Sequence, residues 1–326
     1  MISDLSAVII CRNEEKIIGR CIESVLEETG HASEVILVDS ASTDGTVAVA
    51  RRFPITVVQL DGTSLLSPSA GRYIGSKFCT RDFVFFLDGD MIVCPGWAKA
   101  ARESLHDKEL GGVAGRLYWV FPGEELHMDS PDRLPTGSLK CLGGAAVYRR
   151  SALQRCGTFH PFLLGEEERE LGHRLRRGGF RLERREVPMA YHMAKPRTVT
   201  EIDEKARYFT GVGQIMRAYH LNHMSWDLVK EQKVTFAWFA GTALSALLAL
   251  ALLVMNLYLP PAGFLLAVLL AFALLLAVKG WKKVYLYFRG ILLSGINIAA
   301  GLRTGLPPPV EYAKRSSYTV VSRPPE

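Results

Sequence analysis

Two aspartates separated by one glycine, Asp88 and Asp90, close an apolar run that begins at Phe83. The run predicts a buried strand, and in an open α/β sheet ligands bind just outside the carboxyl ends of the strands. Two carboxylates there suit a hard divalent cation, Mg²⁺ or Mn²⁺, that keeps part of its shell for water and phosphate oxygens. Gly89 between them would let a diphosphate approach the backbone closely. The alternative is an ordinary polar turn, because Asp-Gly is a common turn pair.

The elements that must position these aspartates alternate along the first 90 residues. Strands are predicted at 6–11, 34–39, 55–60 and 81–88, and helices at 14–26, 43–52 and 70–79. Such alternation predicts an α/β fold with a doubly wound, mostly parallel sheet flanked by helices. A nucleotide site is then expected at the strand ends, at residues 11–14, 39 and 88–90. The GxGxxG fingerprint and the P-loop lysine motif are both absent from the sequence.

After residue 90 the pattern becomes less regular. Extended segments are predicted at 111–120, 142–149 and 180–192, with a proline-containing loop at 121–138 and helices at 167–177 and 200–219. Gly178 and Gly179 are a typical end signal for the first of these helices.

A long uncharged stretch predicts a membrane anchor. From Val234 to Val278 the chain has no Asp, Glu, Lys, Arg or His, which is enough for two spans of about 20 residues. Pro260 and Pro261 mark the turn, and lysines flank both ends, which predicts that both ends are cytoplasmic. The predicted organisation is a cytoplasmic domain at 1–230, a hairpin at 231–280 with spans near 235–258 and 262–279, and a juxtamembrane segment at 281–326.

The last of these segments leaves two interpretations open. Residues 284–302 are apolar but interrupted by Arg289 and two glycines, which favours an interfacial or re-entrant helix over a third span. The proline-rich tail after Pro307 is expected to be extended or disordered.

Composition restricts the setting further. The N-terminus lacks a basic segment before an apolar one, so no signal peptide is expected. Six scattered cysteines without CxxC indicate free thiols in a reducing compartment rather than a zinc site. A net charge of +6 with basic residues beside the hairpin fits anionic lipid headgroups, and no nucleic-acid partner is predicted.

Four sequence blocks, in this order, resemble the family 2 glycosyltransferases, which have the GT-A fold. They are VIICRNEEKIIGRCIESVL at 8–26, ILVDSASTDGT at 36–46, SAGRYIGSKFCTRDFVFFLDGDM at 69–91, and LGGAAVYRRSAL at 142–153, which runs on to CGTFHPFLLGEEERELGHRLRRGGFRL at 156–182. The resemblance implies transfer of a sugar from a nucleotide-sugar with inversion at the anomeric carbon.

The resemblance also implies roles on the donor side. Asp90 would bind the metal, Asp88 would lie between ribose and metal, and His192 matches a position that often supplies a further ligand, although a structural histidine is the alternative. Asp39 would accept a hydrogen bond from a uracil imide, which favours a UDP-sugar, or cap the turn that follows it. The other implied donor-binding residues are Arg12, Asn13, Glu14, Arg72, Gly143, Gly144 and Arg207, the last of which also fits an interfacial helix.

Inverting transfer needs a base that deprotonates the acceptor hydroxyl. The family usually supplies the aspartate of a Glu-Asp pair at the start of a helix, and Glu167 and Glu168 occupy that pair here. Glu168 matches the base position, but glutamate is longer and more flexible, so the base remains open between Glu168 and Glu167. Clustered carboxylates raise one another's pKa, which suits a base. The alternative is an acidic first turn that stabilises the helix dipole.

Together these features predict a multi-pass membrane glycosyltransferase with its catalytic domain at the cytoplasmic face of the cell membrane. Its acceptor would be a hydroxyl of a lipid or lipid-linked saccharide, for cell-surface glycan or glycolipid synthesis. One alternative is a polyprenyl-phosphate glycosyltransferase, whose phosphate acceptor needs no strong base. Another is a membrane protein that binds nucleotide-sugars without catalysis. The oligomeric state is not indicated.

Overall fold

The computed structural model describes residues 4–30, 34–194, 208–219, 230 and 281–324, with side chains omitted at 281–291. The chain divides into two compact units, residues 1–196 with 307–326, and residues 197–306. In chain order the first unit contains β1 (Leu5–Cys11), α1 (Ile18–Thr29), β2 (Glu34–Asp39), α2 (Thr46–Ala50), β3 (Thr56–Leu60), α3 (Pro68–Ser76), β4 (Phe83–Asp88), β5 (Met91–Val93), α4 (Trp97–Ser104), β6 (Leu110–Val120), β7 (Gly137–Ser138), β8 (Ala146–Arg149), α5 (Arg150–Cys156), α6 (Glu167–Arg177) and β9 (Arg181–Met193).

One sheet organises the first unit. Its strand order is β10-β3-β2-β1-β4-β8-β6-β9-β5, where β10 is Tyr318–Ser322 and β7 pairs with β9. β3, β2, β1 and β4 are parallel to one another. Every residue of β1 is buried, as expected for a central strand covered on both faces. The predicted α/β sheet flanked by helices is therefore confirmed.

The prediction of a mostly parallel sheet is wrong for its second half. β8 is antiparallel to both β4 and β6, and β5 and β7 are antiparallel to β9, whereas β6 and β9 are parallel. Parallel neighbours need a long crossover connection, usually a helix. β6, β7 and β8 follow one another without an intervening helix among the described residues, so the sheet becomes mixed there.

Helix α3 begins at Pro68, two residues before the start predicted from the sequence. Ser67 is the N-cap, with its hydroxyl accepting the backbone N–H of Ala70 at 3.0 Å, and Pro68 occupies the first turn. Both features are common helix starts. Arg72 lies in the second turn of α3, and its side chain reaches Asp88 at the carboxyl end of β4.

The second unit is described in two helices, α7 (Phe209–Ala218) and α8 (Trp281–Thr304). α8 contains the segment predicted as a helix at 284–302. Within the ranges given above, no helix combines the length and apolarity needed to cross a membrane. The predicted hairpin at 231–280 lies outside the described residues and stays a prediction.

The tail differs in part from its prediction of an extended or disordered segment. Residues after Pro307 form a helix, α9 (Pro309–Arg315), and a strand, β10, which pairs antiparallel with β3 at the edge of the sheet. The extended prediction therefore holds for β10 and fails for α9. The tail thus belongs to the same unit as the sheet.

Candidate active site

The parallel strands bring three strand ends to one edge of the sheet. Cys11 lies opposite Asp39 in the pairing of β1 with β2, and Ile10 lies opposite Asp88 in the pairing of β1 with β4. Asp39 and Asp88 therefore flank the end of β1 from its two sides. This is the edge at which an open α/β sheet binds ligands.

Asp39 is fully buried and holds the turn that follows β2. Its Oδ2 accepts the backbone N–H of Ser42 at 2.9 Å and the side-chain amide of Gln59 at 3.1 Å, while its Oδ1 accepts the Ser42 hydroxyl. Burial, and then the charge of Asp39, raise the pKa of the neighbouring Cys11 thiol. The turn-capping role is present in the structure. The contact of Asp39 with a nucleobase stays a prediction. A base would have to compete with the hydrogen bonds that Asp39 already accepts.

The segment after β1 is fastened to the loop after β2. Asn13 donates its backbone N–H to Ser42 Oγ at 2.8 Å, and its Oδ1 accepts the backbone N–H of Thr43 at 2.9 Å. Glu14 donates its backbone N–H to Thr46 Oγ1 at 2.8 Å. These two predicted donor-binding residues therefore lie at the ligand edge and connect the two loops there.

Arg72 joins the end of β4 to the start of α6. Its side chain is 2% exposed, and its guanidinium donates to Asp88 Oδ1 at 2.8 Å and to Glu167 Oε1 at 2.9 Å. Glu168 Oε1 lies 3.2 Å from the same guanidinium, and the ring of Phe159 packs on it at 5.2 Å. One buried cation thus faces three carboxylates. The predicted contact of Arg72 with the base or phosphates of a donor stays a prediction.

Glu167 and Glu168 are neighbours that differ in exposure. The Glu167 side chain is 5% exposed and that of Glu168 is 23% exposed. Burial raises the pKa of Glu167, and Arg72 opposes this rise. Burial and then the Glu167 carboxylate raise the pKa of Glu168 to about 8, again against the effect of Arg72. A solvent-accessible carboxyl with a raised pKa is suited to accept a proton from a hydroxyl near neutral pH.

Three non-glycine residues have a left-handed backbone among the described residues, and they lie in the loops around this site. They are Asn13 (φ 56°), Ala41 (φ 55°) and Glu166 (φ 61°), the last being the N-cap of α6. Such conformations cost about 1–3 kcal/mol each and cluster at functional sites. The Glu166 carboxylate accepts a hydrogen bond from Arg169 Nε at 2.7 Å, which stabilises this start of α6.

Asp90 and His192 face each other across a strand pair. β5 and β9 place Met91 opposite His192, and His192 Nε2 lies 3.4 Å from Asp90 Oδ1. Trp119, opposite His192 on β6, stacks on the imidazole with ring centroids 4.5 Å apart. The stacking fixes the ring plane beside Asp90. His192 thus lies beside Asp90, and its predicted role as a metal ligand stays a prediction.

The predicted metal ligands fit a divalent ion only in part. No group of three or more His, Cys, Asp or Glu side chains suited to a metal is gathered within the part of the chain that the structure describes. Asp88 forms a salt bridge with Arg72. Of the three predicted ligands, Asp90 would then offer the metal an oxygen and His192 would offer it a nitrogen. Burial raises the pKa of Asp88, Arg72 opposes this, and the Asp90 charge adds to it. An ion held by Asp90 and His192 would take its other ligands from phosphate and water.

The glycines of the site act mainly through packing. A Cβ on Gly89 would lie 2.7 Å from Cys11 Cβ, so this glycine packs against β1, and the expectation that it lets a diphosphate approach the backbone stays a prediction. A Cβ on Gly144 would lie 2.9 Å from Asp88 Oδ2 and 3.0 Å from Arg72 Nη2. A Cβ on Gly143 would meet nothing within 4 Å among the described residues, so Gly143 borders open space.

Several site residues were not predicted from the sequence. They are Gln59, Trp119, Phe159 and Tyr148, the last a buried tyrosine whose pKa is raised by burial and by the nearby Glu168. Of the remaining predicted residues, Arg12 is exposed after β1, and Arg207 lies outside the described residues. No local pattern marks Trp119 or Phe159, because their roles depend on contacts between distant segments.

Comparison with known proteins supports the resemblance. Residues 6–157 match the model of Glycosyl transferase family 2. A pre-mycofactocin glycosyltransferase of Mycobacterium tuberculosis H37Rv is 28% identical over 206 residues, which are 58% of this chain and 43% of that protein. The lipopolysaccharide core biosynthesis glycosyltransferase LpsC of Rhizobium meliloti is 49% identical over 111 residues, 31% of this chain and 35% of that protein. The chain thus spans less than half the length of these relatives.

Solved structures agree on the fold. The mannosyltransferase PcManGT from Pyrobaculum calidifontis, in complex with GDP-Man and Mn²⁺, has a TM-score of 0.59 at 18% identity, covering 91% of this chain and 87% of that one. S. aureus TarS 1–349 in complex with UDP-GlcNAc has a TM-score of 0.50 at 18% identity, covering 68% and 72%. At these identities the likeness concerns the fold, which is that of the GT-A glycosyltransferases.

Proposed function

We propose that this chain, whose residues 6–157 match the family 2 model, is an inverting glycosyltransferase that uses a nucleotide-sugar donor. The observation that carries the proposal is the Arg72 bridge. Arg72 binds Asp88 at the donor edge of the sheet and Glu167 at the start of α6, and it lies beside Glu168. A donor-side carboxylate and a candidate base are thereby held beside one guanidinium, and the space next to them is the proposed cleft for donor and acceptor.

Glu168 is proposed as the base. It is more exposed than Glu167 and its pKa is raised to about 8. As the acceptor hydroxyl oxygen forms its bond to the anomeric carbon, the hydroxyl proton passes to Glu168 and the nucleoside diphosphate leaves with the electron pair of the broken bond. Attack on the face opposite the leaving group inverts the anomeric carbon. Glu167, bonded to Arg72, would hold the orientation of the first turn.

Asp90 and His192 are proposed to hold a divalent ion, Mg²⁺ or Mn²⁺. Such an ion acts as a Lewis acid that stabilises the charge of a departing diphosphate. Their 3.4 Å approach and the stacking of His192 on Trp119 support this assignment. Asp88, held by Arg72, would orient the ribose side of the donor.

A UDP-sugar is the proposed donor. Asp39 ends β2 at the nucleoside end of the cleft and has an acceptor pair suited to an imide N–H. The Gln59 amide, at 3.1 Å, is the longest of the conventional hydrogen bonds that Asp39 accepts, and it is the one we expect a uracil to replace. Arg12, Asn13, Glu14, Gly143, Gly144 and Arg207 complete the proposed donor site.

The proposed acceptor is a hydroxyl of a lipid or lipid-linked saccharide at the cytoplasmic membrane face. The uncharged stretch at 234–278, flanked by lysines, supports a two-span anchor. The name of the relative LpsC, a lipopolysaccharide core glycosyltransferase, points to the same acceptor class. Exposed apolar side chains near His192, including Trp119 and Phe121, fit an acceptor with an apolar part.

The test is a thermal-shift screen of UDP- and GDP-sugars against the full chain in detergent, with and without Mn²⁺. We expect a metal-dependent rise in Tm with one donor. Lipid extracts incubated with that donor should then gain the mass of one sugar residue. Binding without any product across the panel would favour a non-catalytic binder, and product on polyprenyl phosphate alone would favour the phosphate-acceptor alternative.

A further inference from the structure

The C-terminal strap, residues 307–324, packs along the part of the first unit that surrounds α3. Its strand β10 extends the sheet beyond β3, with Tyr318 opposite Leu60 at the carboxyl end of β3. Its helix α9 places Tyr312 in the interior, where the residue is 1% exposed. The strap is therefore anchored to the first unit by a buried aromatic side chain.

Tyr312 contacts three separate segments of the first unit. Its ring meets Tyr73 of α3 edge-on at 6.0 Å between centroids, and Phe162 edge-on at 5.5 Å. Its hydroxyl donates to the backbone oxygen of Leu65 at 2.9 Å. Tyr73 immediately follows Arg72, and Phe162 lies in the loop that leads to Glu167. Tyr312 therefore joins the segments that carry the Arg72 bridge.

A second set of bonds ties the strap to the loop 61–67 between β3 and α3. The backbone N–H of Asp61 donates to Ser317 O at 2.9 Å, and the Ser317 hydroxyl donates to Asp61 Oδ2 at 3.0 Å. The backbone N–H of Ser317 donates to Ser64 Oγ at 3.2 Å. With the Tyr312 bond to Leu65, the strap is bonded to this loop at three residues, from its start at Asp61 to Leu65.

The loop 61–67 follows the carboxyl end of β3, so it lies at the ligand edge next to Asp39. A Cβ on Gly62 would lie 3.9 Å from Ala41 Cβ, so the loop borders the turn that Asp39 caps. Gln59, bonded to Asp39, lies two residues before the loop. The loop thus lies beside Asp39, where the proposed donor site would hold the nucleoside.

We infer that the strap is part of the donor site and that Tyr312 is a positioning residue, holding the loop 61–67 and α3 where a nucleoside diphosphate binds. The inference rests on the proposed function, and it adds a segment beyond residue 306 to the determinants of donor affinity. It predicts an effect on donor binding that exceeds the effect on stability. A strap with a purely structural role would lower stability and leave the affinity of the folded protein unchanged.

The test compares three variants of the full chain by titration calorimetry with UDP and Mn²⁺ and by thermal unfolding. Tyr312→Phe removes the bond to Leu65 but keeps the ring, and we expect the Kd for UDP to rise by about 2- to 10-fold, the range of one hydrogen bond. Tyr312→Ala removes both and should weaken binding further. Val310→Ala, at a 60% exposed position of the same helix, is the control and should bind as the wild type does.

Transfer kinetics add an independent readout. In Tyr312→Phe the KM for the donor should rise while kcat at saturating donor stays near the wild-type value. A lower Tm with an unchanged Kd in Tyr312→Phe would overturn the inference, even if Tyr312→Ala does not fold. If the wild type transfers sugar but the Kd of Tyr312→Phe equals that of Val310→Ala, the inference alone fails. If the wild type binds neither UDP nor GDP, the proposed function fails and the inference fails with it.

Discussion

Arg72 sets the charge balance of the site at the scale of single residues. Its buried guanidinium contacts Asp88, Glu167 and Glu168, so three carboxylates surround one cation. Full ionisation of such a group of carboxylates is unfavourable, and Glu168, the more exposed of the two glutamates, has its pKa raised to about 8 by burial and by the Glu167 carboxylate. This excess of negative charge favours the binding of a cation together with the sugar donor. It also favours the acceptance of a proton by a carboxylate.

A pH profile follows from the raised pKa of Glu168. The base must be ionised, so kcat/KM should fall about tenfold per pH unit below about 8 and level off above it. Glu167→Gln removes the neighbouring carboxylate that contributes to the raised pKa of Glu168. The acidic part of the pH profile, in which kcat/KM falls, should therefore move to lower pH. The measurement is kcat/KM for the donor between about pH 6 and about pH 10, roughly two units on each side of this pKa. An unchanged pH profile in Glu167→Gln would contradict the effect of Glu167 on the pKa of Glu168.

Substitution of Arg72 tests the bridge itself. Arg72→Lys keeps the charge, but an ammonium lacks the planar fork that reaches several carboxylates at once. We expect the free energy of unfolding to fall by about 1–3 kcal/mol and kcat/KM to fall at least as strongly. Arg102→Lys is the matched control, because Arg102 is half exposed and pairs with Asp4 alone among the described residues. The measurements are denaturant unfolding and transfer kinetics. If Arg72→Lys and Arg102→Lys have the same free energy of unfolding and the same kcat/KM, the role of the Arg72 bridge is contradicted.

At the scale of elements, loops and strand ends hold the site in place. The loop that contains Gly143 and Gly144 precedes β8 and lies against Asp88 and Arg72. The two glycines differ in surroundings although they are adjacent. One borders open space, where a donor sugar has room, and the other packs against the charged bridge.

These glycines give a paired prediction. Gly144→Ala places a methyl group about 3 Å from two charged atoms, so it should lower the free energy of unfolding by about 1–3 kcal/mol. Gly143→Ala meets no protein atom within 4 Å among the described residues and should leave stability unchanged. Its donor KM should rise because the methyl group occupies the space proposed for the sugar. Unfolding curves and donor kinetics of both variants check this, and an unchanged KM in Gly143→Ala would remove that glycine from the donor site.

Elements with strong local signals could be predicted from the sequence. The helix Glu167–Arg177 has the bounds expected from its acidic start and its Gly178–Gly179 end. The stacking of Trp119 on His192 could not be predicted, since it depends on the register of β6 with β9, which shifts at three points. The packing role of Gly89 was missed for the same reason. Local patterns specify elements, whereas contacts between distant strands require the register, which the sequence does not display.

At the scale of the whole molecule, the chain leaves the first unit near residue 196 and returns to it at residue 307. The sheet therefore contains both the N-terminal strands and β10, and the segment between them begins and ends at the same unit. The uncharged stretch lies within that intervening segment. An anchor placed there would be connected to the first unit through two chain segments.

Membrane association tests the proposed anchor. Two apolar spans resist extraction by salt and by alkaline carbonate, because the apolar residues remain in the bilayer. We expect the full chain to sediment with membranes after both washes and to be released by detergent. Release by salt alone would indicate electrostatic surface binding, which contradicts a spanning hairpin.

The most direct test of the central claim is the release of nucleoside diphosphate during sugar transfer by the wild type and by Glu168→Gln. We predict that Glu168→Gln binds the donor with an unchanged Kd but transfers about 10²- to 10⁴-fold more slowly, the usual contribution of a general base. Glu109→Gln, at a largely exposed side chain away from the cleft, should behave as the wild type does. Transfer at the wild-type rate by Glu168→Gln would contradict the account.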